Sequence, residues 1–266
     1  DWSSDVCSSD LIIVGHGAYP VRDDIAALAE TLGTPVLTTF KAKGLLPDDH
    51  RCAGGVLGRS GTPIASWFMN EADLIIALGT SFSNHTGIER SKEIIQVDHE
   101  RMQLGKFHPV ALPIWGDVGA FCEAIAKSDH KNPAAEDQIA ELAARWDIWR
   151  REKQARLAED LGKGIHSFAI FEALGRLVPD NTIFAVDVGN NTYSFGRYLE
   201  TKGRQRVLMS GYLGSIGFGL PAAMGAWAAT QDKDDLKGCK VVSISGDGGF
   251  GQYPMEFTTA VKYGMD

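Results

Sequence analysis

The chain lacks the marks of several large protein classes. Its 266 residues hold four cysteines, Cys7, Cys52, Cys122 and Cys239, with no Cys-x-x-Cys spacing. A chain of this size does not need staples, so reduced thiols in a cytoplasmic protein are expected rather than disulfides or a zinc site. No apolar run approaches the roughly 20 residues that span a bilayer, and no charged, apolar and small-residue series marks a secretory signal. Basic residues are outnumbered, 26 Lys and Arg against 34 Asp and Glu, and no basic stripe stands out. This argues against a nucleic-acid surface and leaves solubility as the meaning of the net charge of −8. Internal repeats and low-complexity tracts are missing. No GxGxxG completes "GHG" at Gly15 to Gly17, and "LGKGIHS" lacks both the leading glycine and the Lys-Ser/Thr pair of a P-loop. His16, His50, His85 and His99 are scattered without metal-ligand spacing.

The first eleven residues, "DWSSDVCSSDL", carry no hydrophobic period and join abruptly onto "IIVGHGAYP". Back-translated in one frame, they look like a common sequencing-library adapter. Residues 1–11 are therefore expected to be an artefact outside the fold, with Cys7 not a native cysteine and the reading frame opening inside a gene.

Beyond them, strand-like and helix-like stretches alternate. "LIIVGHG", "TPVLTTF", "DLIIALGTSF" and "EIIQVDHE" are continuous apolar runs closed by polar turns, as strands buried on both faces should be. "DDIAALAETLG", "PIASWFMNEA" and "DVGAFCEAIAK", the last led by Asp117, have helical spacing. Near "SDHKNPAAED" the chain turns polar, and a long charged helix with Trp146 and Trp149 as packing residues follows. A second alternating series runs through "HSFAIFEALGRLVP", "TIFAVDVGNN", "GSIGFGLPAAMGAWAAT" and "KVVSISGDGG" to a last helix at "YPMEFTTAVKYG". The fold class expected is α/β, two doubly wound parallel-sheet units joined by a helical connector, the second unit truncated. The boundaries expected are residues 12–130 for a nucleotide-binding-like central domain, 131–164 for the connector and 165–266 for the partial second domain.

Ligands of open parallel sheets bind at the carboxyl ends of the strands. Three glycine-bearing loops of the second unit fall at such ends: Asp187 to Asn191, Gly211 to Gly219, and Gly246 to Gly249. Small residues there let backbone N–H groups approach a phosphate. Asp247 supplies a hard oxygen suited to Mg²⁺ beside a phosphate. A lone GDG is a common turn; three such loops at successive strand ends make the stronger signal.

"VVSISGDGGF", "GSIGFGLPAAMGA" and "AVDVGNN", taken together, resemble the diphosphate-binding domain of thiamine-diphosphate enzymes of the pyruvate oxidase, acetolactate synthase and 2-oxoacid decarboxylase group. "TPVLTTFKAKGLLPDDH", "ADLIIALGTSF" and "IIQVDHE" are similar to their central domain, so the resemblance covers nearly all the chain after residue 11. It implies thiamine diphosphate and Mg²⁺ as cofactors. A 2-oxoacid such as pyruvate would lose CO₂, with transfer or oxidation of the intermediate. It implies that Asp247 coordinates Mg²⁺, that Gly246, Gly248 and Gly249 hold the diphosphate, and that Gly189, Asn190 and Asn191 add contacts. Ile216 would be the apolar wedge that bends the cofactor, and the Gly214 carbonyl would accept a hydrogen bond from its 4′-amino group. FAD is a further possibility in the central domain, with Gly58 to Thr62, Gly79 and Asp98 as the positions of interest. The family's proton relay begins at a glutamate of a preceding domain, a role not given to Glu256, which is expected at a surface or cap position. The parent is expected to be a homodimer or homotetramer, and the 266-residue chain alone inactive. The alternative is a non-catalytic adenine-nucleotide-binding module with a sirtuin-like dinucleotide fold.

Overall fold

A computed structural model describes residues 10–81, 86–128, 135–159 and 162–266, which fall into two compact units, residues 1–159 and 160–266. The first unit is a six-stranded, all-parallel sheet: β1 (Asp10–Val14), β2 (Val36–Thr38), β3 (Ala53–Val56), β4 (Leu74–Leu78), β5 (Glu93–Asp98) and β6 (Leu112–Trp115), in the order β3-β2-β1-β4-β5-β6. The central pair β1 and β4 aligns Leu11 with Ile75 and Val14 with Leu78. Leu11, Ile12, Ile13 and Val14 are all fully buried, which explains why this strand reads as an unbroken apolar run.

The strand begins one residue earlier than the apolar run "LIIVGHG" suggests. Asp10 and Leu11 lie inside β1 and pair with Leu74 and Ile75, so the boundary expected after residue 11 falls inside the strand. Leu11 supplies a core side chain whose apolar character fits the run that follows. Cys7 lies outside the described residues, as does His85.

Helices cover the sheet with their ends set by local chemistry. α1 (Arg22–Leu32) carries Asp23 and Asp24 in its first turn and closes on Gly33, whose φ of 61° is the left-handed cap that glycine tolerates. α2 (Pro63–Glu71) starts with proline behind Thr62, whose hydroxyl accepts the Ala65 N–H at 3.2 Å. α3 (Val118–Ala126) is capped by Asp117, which accepts the Ala120 N–H at 2.9 Å. Residues 158, 159 and 162–164 of the expected connector are not helical, and α4 (Ala135–Leu157) is a helix of 23 residues. It packs on the first unit. Its buried residues Gln138, Leu142, Trp146, Trp149 and Lys153 recur every three to four positions, a narrow stripe within a charged sequence. The Trp146 indole N–H donates to the Ala53 carbonyl of β3 at 2.6 Å, and the Gln138 amide to the Asp10 carbonyl at 3.1 Å.

The second unit is a three-stranded parallel sheet, β7 (Ile183–Val186), β8 (Arg206–Met209) and β9 (Val241–Ile244), in the order β8-β7-β9. Its helices are α5 (Ser167–Leu177), α6 (Asn190–Tyr198), α7 (Gly219–Asp232), the single turn α8 (Asp247–Phe250) and α9 (Glu256–Tyr263). Phe195 of α6 packs edge-on against Phe171 and Phe184, with ring centroids 5.9 and 5.4 Å apart, and seals the centre of β7. The chain lays β8 on one side of β7 and β9 on the other, so the strand order reverses at β7. In a doubly wound sheet that reversal opens a crevice at the carboxyl ends of the strands. No helix among the described residues is long and apolar enough to cross a membrane.

Candidate functional site

Asp187, the first residue beyond β7, organises the strand-end crevice of the second unit. It is 1% exposed. Its Oδ1 accepts the N–H groups of Val188 at 2.6 Å and Gly217 at 2.9 Å, and its Oδ2 accepts the Gly219 N–H at 3.3 Å. Its backbone N–H donates to the Ile244 carbonyl at the end of β9. Its own carbonyl accepts from the Thr192 hydroxyl at 2.6 Å and the Asn191 amide at 3.2 Å. Gly219 and Gly249 press directly on it: a Cβ at Gly249 would overlap Oδ2, and one at Gly219 would lie 3.0 Å from the Asp187 Cβ. Those two glycines are set by close approach. The three loops singled out in the sequence thus meet at one carboxylate, and the contacts that join them, through Gly217, Gly219 and Gly249, span thirty residues or more of chain.

Gly189 takes a φ of 155° ahead of α6, and its N–H donates to the Thr192 hydroxyl at 3.0 Å. Asn190 opens α6 on the exposed side, whereas the Asn191 amide ties the β7 end to the β9 end by donating to the Ile244 carbonyl at 3.0 Å. Gly214 (φ 65°) is exposed within a turn closed by its own N–H on the Ser210 carbonyl at 3.2 Å. Ile216 is 57% exposed and lines a cavity of about 590 Å³ with Gly217, Pro221, Met224, Tyr253 and Glu256. Asp247 opens α8 and is exposed. Around Gly246 and Gly248 a Cβ would meet nothing within 4 Å, so both are open to space where a side chain would stand.

Glu256 is the first residue of α9, half-buried, with its Oε2 accepting the Thr259 hydroxyl at 3.0 Å. It holds a first-turn position, with Met255 rather than Glu256 at the N-cap, and it also lines the cavity that Ile216 lines. Among the described residues no group of three or more His, Cys, Asp or Glu is placed to hold a metal.

The first unit's candidate nucleotide contacts are engaged in their own turns. Gly61 N–H closes on the Gly58 carbonyl at 2.9 Å, and Thr62 caps α2. The Gly17 N–H donates to the Gly79 carbonyl at 3.1 Å where the loops after β1 and β4 cross, and Asp98 accepts the Glu100 N–H at 2.8 Å. Phe82, the last of the Gly79 run, lies outside the described residues. Burial pushes the Cys52 and Cys122 thiols up to about 11, which makes both poor nucleophiles.

Fold and site together define an α/β protein with a glycine-built strand-end cradle facing outward beside one carboxylate, Asp247, the pattern of a phosphate-bearing cofactor's domain. A family model described as the central domain of thiamine pyrophosphate enzymes matches residues 8–125, and one described as their C-terminal TPP binding domain matches residues 187–266. The chain belongs to the thiamine pyrophosphate enzyme family. It is 30% identical over 273 residues to a probable acetolactate synthase large subunit of Methanococcus aeolicus, covering 96% of this chain and 45% of that protein. An acetolactate synthase of Mycobacterium bovis is 31% identical over 263 residues, covering 96% and 42%. A putative thiamine pyrophosphate-containing protein of Bacillus subtilis is 27% identical over 259 residues, covering 95% and 43%. The chain spans less than half the length of these curated relatives.

Proposed function

We propose that the chain forms the central and diphosphate-binding parts of a thiamine-diphosphate- and Mg²⁺-dependent enzyme that acts on a 2-oxoacid such as pyruvate, in the manner of acetolactate synthase. The observation that carries this reading is the convergence of three strand-end loops on Asp187, leaving Gly246 and Gly248 open beside Asp247. An open glycine backbone suits the close approach of a diphosphate, and one exposed carboxylate suits Mg²⁺ shared with phosphate oxygens. Bound there, thiamine diphosphate supplies a nucleophilic carbon and an electron sink, which loss of CO₂ from a 2-oxoacid requires. The chain's own residues bind and orient: Asp247 and Gly246 to Gly249 at the diphosphate end, with Gly189 to Asn191 adjoining. Ile216 would fill apolar space, and the Gly214 carbonyl would accept a hydrogen bond from an amino group of the cofactor. Free thiols at Cys52, Cys122 and Cys239 support a cytoplasmic setting. Exposed apolar residues of the second unit, Tyr212, Leu213 and Met255 among them, support assembly of the parent as a homodimer or homotetramer.

Expressed from its complete gene, the protein should turn over pyruvate only with thiamine diphosphate and Mg²⁺ present. Asp247→Ala should lower kcat/KM by about a hundred-fold or more, the loss expected when a charge-binding ligand is removed, with partial recovery in excess Mg²⁺ and cofactor. Undiminished turnover in that variant rejects the assignment. The strand order of the first unit also favours a dinucleotide-binding module. Tight binding of NAD or ADP without any binding of thiamine diphosphate would select that reading instead.

A further inference from the structure

The Asp187 carboxylate has no role in the chemistry just described, yet its setting is unusual for a buried anion. It is held by three backbone N–H groups from two separate segments, Val188 on its own loop and Gly217 and Gly219 on the next. Gly219 is the first residue of α7, so the charge also faces the positive end of a 14-residue helix. The third segment arrives through Gly249, whose lack of a side chain lets the 246–249 turn close on Oδ2. The residues proposed to meet the cofactor lie next to these clamped points. Ile216 immediately precedes Gly217, Asp247 is two residues before Gly249, and Gly189 is two after Asp187.

We infer that Asp187 is a positioning residue that sets the wedge loop, the metal-side turn and the α6 entry at fixed distances, so that the cofactor meets them preorganised. This rests on the thiamine-diphosphate reading of the second unit. An asparagine there keeps the shape but has one accepting oxygen, so at least one of the three N–H groups would face another donor.

The test is calorimetric titration of thiamine diphosphate, with Mg²⁺ present, into the protein expressed from its complete gene. Asp187→Asn should weaken the cofactor Kd by about ten-fold or more, while the pyruvate KM at saturating cofactor stays near wild type. Phe195→Leu, which trims the core away from the loops, should lower the melting point by as much or more and leave the cofactor Kd unchanged. Cofactor affinity unchanged in Asp187→Asn, or lost equally in Phe195→Leu, overturns the inference and leaves the functional reading standing. Absence of binding by the wild type overturns both. Should Asp187→Asn not fold, Gly219→Ala carries the test, because its Cβ would sit 2.5 Å from the Ser245 Oγ and shift α7 off the carboxylate. It should then show the same loss of affinity. Failure of both variants to fold would make Asp187 a folding residue and overturn its positioning role.

Discussion

At the scale of single residues, exposure separates two roles that look alike in sequence. Ile216 is a β-branched apolar residue in a glycine-rich stretch, where an ordinary core role is the simpler expectation. It is instead 57% exposed and stands on the wall of a cavity. Trimming it to alanine should therefore change stability by no more than about 0.5 kcal/mol. If it bends a bound cofactor, the same change should reduce kcat about 10- to 100-fold, because a stiff side chain no longer blocks relaxation of the strained conformer. Melting curves beside kcat at saturating cofactor check this. A fall in melting point with kcat intact would return Ile216 to a packing role. The same contrast explains Asp187 and Asp247: both follow a strand in an apolar-to-glycine turn, but one is buried under backbone donors and the other is exposed. Only the structure tells them apart.

At the scale of elements, the carriers of structure differ in how far they announce themselves. Trp146 is legible as a packing residue, and its contact is specific: the indole N–H on the Ala53 carbonyl ties α4 to β3. Trp146→Phe keeps most of the apolar area and removes that bond, so the first unit should lose about 1–3 kcal/mol, read as a lower denaturant midpoint at unchanged slope. A change within error would mean that the carbonyl finds another donor. The strands buried on both faces, β1, β4 and β5, and the Asp117-led helix are visible in the sequence because an apolar run or a cap residue states them locally. β3 is hard to see because half of "AGGV" is glycine. β6 is an edge strand with Leu112 and Trp115 exposed and Pro113 within it, so neither alternation nor a continuous run appears. β8 opens on Arg206, which pairs with Asp235 at 3.2 Å, and α6 starts with two asparagines and a threonine, poor helix formers. The cradle glycines were legible as a set. Their common anchor was not, since Gly217 and Gly249 reach Asp187 across separations that no local pattern encodes.

At the scale of the whole molecule, two units with separate sheets and separate cores should respond separately to a ligand. The first unit's core is built on Ile12, Ile25, Leu28, Val36 and Ile76, and the second's on Phe171, Phe184 and Phe195. A ligand that binds only the folded second unit stabilises it by RT ln(1 + [L]/Kd), about 2.7 kcal/mol at a hundred-fold excess over Kd. For a unit of about 100 residues each kcal/mol moves the midpoint by roughly 4–8 °C, so the shift should be on the order of 10 °C or more. Calorimetric scans with thiamine diphosphate and Mg²⁺ should accordingly show one transition moving upward and the other holding still. Trp146→Phe should lower the transition that holds still, and Asp247→Ala should abolish the upward movement of the other. If both transitions rise together, the cofactor's binding energy is shared with the first unit, and the second unit's strand-end cradle is not its sole determinant. If neither moves while pyruvate turnover still requires the cofactor, binding must draw mainly on residues beyond these two units. The scan thus reads at molecular scale the same question that Asp187 poses at residue scale: whether the three loops after β7, β8 and β9 form a binding site already assembled in the folded second unit.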